Sequence, residues 1–178
     1  MTTIDRKTAT VVVPFAIGAA VSVALGVYGG LHQPQGYSIN IAGFSSTQAV
    51  KSWLATVAFV LALVQLTSAL MVYGKIRGPK WVGVLHRWSG RLAVLATVPV
   101  VVHCLYALGF DPSSPRVLAH SLLGCFFFGA FTAKMLVLTR KGVPGWALPL
   151  VGGAVFTGLV ALWLTSSLWF FTTVGVKF

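Results

Sequence analysis

Residues 82–139 read VGVLHRWSGRLAVLATVPVVVHCLYALGFDPSSPRVLAHSLLGCFFFGAFTAKMLVLT. Two apolar runs, about 82–109 and 116–139, flank one short turn, Asp111-Pro112-Ser113-Ser114-Pro115. Each run is near the ~20 residues that an α-helix needs to cross a hydrocarbon core. A connection this short makes the two helices antiparallel neighbours. The unit they predict is a membrane hairpin.

Working outward, three further apolar runs cover about 10–31, 52–74 and 146–173. The expectation is an all-α integral membrane bundle of about five transmembrane helices, forming a single domain over 1–178. Arg6 and Lys7 before the first run imitate the start of a signal peptide. That run is long, however, and no small-x-small cleavage site closes it, so it is read as a retained helix. Residues 32–51 form the longest connection, expected to carry some ordered structure of its own. Pro99 should kink the third helix.

Composition agrees with the membrane. The chain is 57% hydrophobic and only 8% charged, against roughly 25% charged in ordinary soluble domains. Asp5 and Asp111 are the only acidic residues, and the net charge is +11. The basic residues cluster in short connections, which argues for membrane orientation and against a phosphate-reading surface. Arg6, Lys7, Lys75, Arg77, Lys80, Arg140 and Lys141 fall on one side; Lys51, Arg116 and Lys177 fall on the other. The richer side faces the cytoplasm, so the N-terminus is inside and the C-terminus outside. Trp53, Trp81, Trp88, Trp146 and Trp169 lie near run ends, where interfacial aromatics belong.

Several chemistries are excluded. No carboxylate lies within a run, so paired-carboxylate catalysis and carboxylate proton relays have no residues to use. There is no GxGxxG, P-loop, HExxH or GxSxG motif. Cys104 and Cys125 lack zinc or CxxC spacing and read as small buried hydrophobes. On the first helix, Gly18, Ser22, Gly26 and Gly30 recur every four residues. Such a stripe lets a neighbouring helix approach closely.

What remains is histidine with a few cations. Ionisable groups in the membrane are expensive and point to function. His103 comes about six residues before the outer end of the third run, and His120 about four after the outer start of the fourth. At 1.5 Å per residue both lie about 6–9 Å below the outer boundary. Two uncharged imidazoles at matching depth on facing helices can clamp one haem iron, and a bundle supplies the apolar slot. Arg116, Gly124, Phe127, Phe131 and Lys134 share the face of His120 at 100° per residue. Gly124 can make room for a planar ring, Phe127 and Phe131 can pack on it, and Arg116 can meet the propionates. Ser89 and Ala96 share the face of His103. The plainer reading of a membrane histidine is an interhelical hydrogen-bond partner.

The other candidates are weaker. His86 opens the third helix on the inner side, where only Met71 or Lys134 could complete a second haem site. Its plainer reading is an interfacial residue that meets lipid headgroups, propionates or a quinone. His32 ends the first helix outside, as an alternative haem ligand, a substrate-site residue or an exposed loop residue. Arg91 and Lys134 can snorkel to the inner interface.

The stretch His86-Arg87-Trp88-Ser89-Gly90-Arg91, followed by apolar residues and His103, resembles cytochrome b561 and ferric-reductase-like transmembrane haem b proteins. The likeness covers about residues 52–140. It implies histidines on facing helices that hold haem b and pass electrons across or along the membrane, with a quinone or a partner protein as donor. This chain departs from that pattern. His86 and His103 are 17 residues apart, about 100° around an ideal helix. The fourth helix has one histidine rather than two. The resemblance thus supports one haem better than two, and any flavin or nicotinamide domain must be another chain. A larger respiratory-type complex in a bacterial plasma membrane is the setting it implies. The competing reading is a cofactor-free membrane subunit or assembly factor that packs through the Gly18/Ser22/Gly26/Gly30 face.

Overall fold

The computed structural model describes residues 6–37, 40 and 43–178; Asp5 lies outside them. Among these residues are five helices long and apolar enough to cross a membrane, as the sequence predicts. They are α1 (Arg6–Leu31), α2 (Thr47–Val72), α3 (Val82–Leu108), α4 (Pro115–Leu138) and α5 (Ala147–Thr173). The chain is a multi-pass membrane protein whose exposed apolar side chains meet lipid.

The helix ends follow local chemistry. Ser46 caps α2 by accepting from the Ala49 N–H at 3.2 Å. This starts α2 five residues before the run expected from hydropathy, because Thr47 and Gln48 are polar yet sit in the first turn, where a cap outweighs hydropathy. Ser114 caps α4 by accepting from the Val117 N–H at 3.3 Å, with Pro115 as the first helical residue. Gly74, Gly109 and Gly142 follow helix ends with positive φ, the left-handed conformation that glycine adopts without a Cβ clash.

Two helices change their winding. α3 is α-helical to Val102 and π-helical over His103–Leu108. The change begins four residues after Pro99, which has no N–H to donate. α5 is π-helical over Leu164–Leu168, with no proline nearby.

The helices pack as two compact units interleaved in sequence, each described by itself. The first comprises Met1–His32 with Phe110–Ala161, and the second Gln33–Gly109 with Leu162–Phe178. In the first unit α1 lies against α4. A Cβ at Gly18 would stand 2.6 Å from the Gly129 carbonyl oxygen and 2.9 Å from the Ala133 Cβ. A Cβ at Gly129 would collide with the Ser22 hydroxyl and the Gly18 carbonyl. The stripe read from the sequence thus meets α4 of the same chain at Gly18 and Ser22. Gly26 comes only to 3.8 Å from the Cys125 sulfur, and Gly30 has open space.

In the second unit α2 lies against α3 and against the outer part of α5. Ser167 is fully buried and donates to the Ser52 carbonyl at 3.1 Å. The Trp163 indole N–H donates to the Thr56 hydroxyl at 3.0 Å, and its ring stacks on Phe59 at 4.6 Å. The chain end packs here as well: Trp53 stacks on Phe178 at 4.6 Å and donates to the Lys177 carbonyl at 2.9 Å.

Candidate functional site

Each histidine is positioned by the helix that carries it. His103 lies five residues before Leu108, the outer end of the third span, and His120 five residues after Pro115, the outer start of the fourth. From Pro115 to His120 five residues of α-helix rise about 7–8 Å. His103 is half-buried in the second unit and is the first residue of the π-helical turn. Such turns recur at functional sites.

His120 is half-buried in the first unit, on α4. One turn further along the same face, an added Cβ at Gly124 would meet nothing within 4 Å, so that face holds open space. Phe131 is half-buried two turns beyond. Phe127 is only 2% exposed and meets Phe128 edge-on at 5.0 Å, so its ring belongs to the packed interior of that unit. Arg116 is half-buried in the first turn of α4. The connection before it is tied down: the Phe110 N–H donates to the Gly29 carbonyl at 2.9 Å, and the Ser113 N–H to the Asp111 carboxylate at 2.7 Å. His32 stacks on Tyr28 at 5.0 Å in the same unit. Lys134 is half-buried near the other end of α4.

In the second unit the outer end of α3 is held by the long connection. The Gln35 and Gly36 N–H groups donate to the Tyr106 and Ala107 carbonyls at 3.4 and 3.2 Å. The Ser45 N–H donates to the Phe178 carbonyl. These bonds give the 32–51 connection the order expected of it.

The inner half of the same unit holds a hydrogen-bonded polar cluster. Gln65 Nε2 donates to the His86 carbonyl and to the Ser89 hydroxyl, the latter at 2.7 Å. Ser89 passes its own proton to the Leu85 carbonyl at 2.7 Å. Gly90 makes room: a Cβ there would stand 3.0 Å from Gln65 Oε1. The Ser68 hydroxyl donates to the Val64 carbonyl at 2.6 Å and meets His86 Nδ1 at 2.9 Å. Among the described residues no buried side-chain polar atom lacks a partner.

The sequence singles out His86 and Ser89 but not their meeting with Gln65 and Ser68. The signal was present. Gln65/Ser68 and His86/Ser89 are each three residues apart, on one face of two helices joined by a short turn. Of the two residues named with His86 for a second haem site, Met71 packs its side chain over Gly78. Arg91 lies over the Trp88 ring at 5.1 Å, a cation–π contact on an exposed face. Among the described residues no three His, Cys, Asp or Glu side chains gather as a metal-holding group.

The chain belongs to DUF6529, a family of unknown function, whose model matches residues 11–178. No curated protein and no solved structure matches it.

Proposed function

We propose that this DUF6529 protein is a membrane cytochrome b that holds one haem b through His103 and His120. The observation that carries the reading is their placement, each five residues inside the outer end of consecutive spans. Three features support it. Neutral nitrogen donors are the ligands that haem iron takes in an apolar bundle. The open space at Gly124, one turn from His120, is what a planar ring needs. The π-helical turn at His103 sets that ligand apart from the regular helix before it.

Bound haem supplies a one-electron iron couple. The chain's own residues do the rest. His103 and His120 donate ring nitrogens. Gly124 would leave space for the ring, and Phe127 and Phe131 share its helix face. Arg116 offers its guanidinium to the propionates at the outer surface. His32, beside Tyr28, stands at the outer end of α1, where an acceptor would approach. Electrons come from a quinol or a partner subunit and leave at the outer face, in a plasma membrane of bacterial type. His86 is assigned to the α2–α3 contact, where its Nδ1 meets the Ser68 hydroxyl and its carbonyl accepts from Gln65.

The test is a reduced-minus-oxidised absorption spectrum of protein purified from haem-replete cells. The expected result is a haem b spectrum that is lost in both His103→Ala and His120→Ala and kept, at unchanged stoichiometry, in His86→Ala. Colourless wild-type protein overturns the proposal. In the cofactor-free reading the glycine stripe is covered by α4 of the same chain at Gly18 and Ser22, while Gly30 stays open.

A further inference from the structure

An open apolar groove runs along the first unit near the amino-terminal end of α1. Val11, Phe15 and Ala19 form its floor with Ala16 beside them, and Trp146 and Leu150 at the start of α5 form its wall. Positions 11, 15 and 19 are four apart and share one helix face. The groove encloses about 460 Å³, within the roughly 300–1,000 Å³ range of ligand sites. It follows eight residues of rise, about 12 Å, close to the ~15 Å half-thickness of a hydrocarbon core. A partner helix would run the full span, whereas this groove is one leaflet deep. Its dimensions suit an acyl chain.

The mouth lies at the end assigned to the cytoplasm by the charge count. Exposed Arg140 and Lys141 stand on the connection that leads into Trp146. Among the described residues the one acidic side chain is Asp111, beyond the opposite end of α4. Positive charge at the mouth is therefore in excess. Trp146 is 57% exposed, and its indole N–H belongs at the headgroup level where such rings gather.

We propose that this groove seats one acyl chain of an anionic phospholipid of the cytoplasmic leaflet, with the phosphate between Arg140 and Lys141 and the Trp146 indole at the ester level. Apolar burial fixes the chain, and the cations select the headgroup. The proposal is independent of the haem reading.

The experiment is fluorescence quenching of full-length protein in vesicles by brominated phosphatidylglycerol or brominated phosphatidylcholine. The Trp146 signal is the difference from Trp146→Phe. Phosphatidylglycerol should quench it at the lower mole fraction. Arg140→Gln and Lys141→Gln should each reduce that preference by about five-fold. Ala16→Leu should fill the groove and remove the phosphatidylglycerol preference at Trp146. The charge variants change exposed residues, so the test stands even if Ala16→Leu fails to fold. Equal quenching by the two lipids means only an annular contact and overturns the proposal. So does a Trp146 shielded from both lipids in a dimeric protein, which would place a second copy in the groove.

Discussion

The α1–α4 contact and the α2–α3 contact solve one problem in two ways. Lipid is as apolar as leucine, so burial alone does not hold membrane helices together; close packing and hydrogen bonds must. At α1–α4 the side chains are removed, and backbone at Gly18 meets backbone at Gly129. At α2–α3 the side chains stay and are polar, and Gln65, Ser68, His86 and Ser89 form a hydrogen-bonded cluster across the contact. The difference predicts how each fails. The first contact tolerates no added atoms, because backbone cannot move aside. The second tolerates the loss of a bond, because the remaining partners can find others.

The largest effect should come from Gly18→Leu. Its Cβ alone would stand 2.6 Å from a backbone oxygen, and overpacking of lesser severity costs 1–3 kcal/mol. A loss of about 3 kcal/mol or more is expected, measured as unfolding in mixed detergent or as the absence of extractable folded protein. Gly30→Leu sharpens the point. It lies on the same stripe, yet its added side chain meets open space, so stability should stay near wild type. Equal damage from both would mean that the stripe acts as a whole and that the contact at Gly129 is not decisive.

Gln65→Leu should cost less, about 1–2 kcal/mol, the size seen for polar contacts between membrane helices in peptides. It removes donors from the His86 carbonyl and the Ser89 hydroxyl. The carbonyl retains its helical setting, and the hydroxyl retains the Leu85 carbonyl. Gly90→Leu should cost more than Gln65→Leu, since it displaces the whole carboxamide. The double variant should cost less than the sum of the singles, because a leucine at 65 leaves no carboxamide to displace. Strict additivity would show that Gly90 is tuned to something other than Gln65.

Much of this was legible in the sequence because the membrane imposes one strong rule, about twenty apolar residues per crossing. The rule gave the spans at 10–31, 82–109 and 116–139 almost to the residue. It failed at the start of α2, where Ser46 caps a helix whose first residues are polar. Hydropathy registers transfer to lipid and carries no information on capping. The positions of His103 and His120 along their spans were also legible, since they depend only on where each span ends. Packing partners were harder. The glycine stripe announced a close neighbour without naming α4, because any small-residue face would suit it. The π-helical turn at Leu164–Leu168 had no sequence signal. The one at His103 had only Pro99, four residues upstream.

The smallest effect worth measuring is Trp163→Phe, which asks whether the α2–α5 contact belongs with the polar or the packed type. The indole donates to the Thr56 hydroxyl at 3.0 Å, while its ring stacks on Phe59 at 4.6 Å. Phenylalanine keeps most of the stack and removes the donor. Thr56 keeps its own bond to the Ser52 carbonyl at 2.7 Å, so its proton is not stranded. The expected cost is therefore about 0.6 kcal/mol, the mean for membrane hydrogen bonds in double-mutant cycles. A cycle with Thr56→Val isolates the bond from the lost ring area. A coupling near 0.6 kcal/mol places this contact with the α2–α3 type. A coupling near zero with a large single-variant cost would mean that the indole acts by volume, and that α5 is held to α2 by packing, as α1 is held to α4.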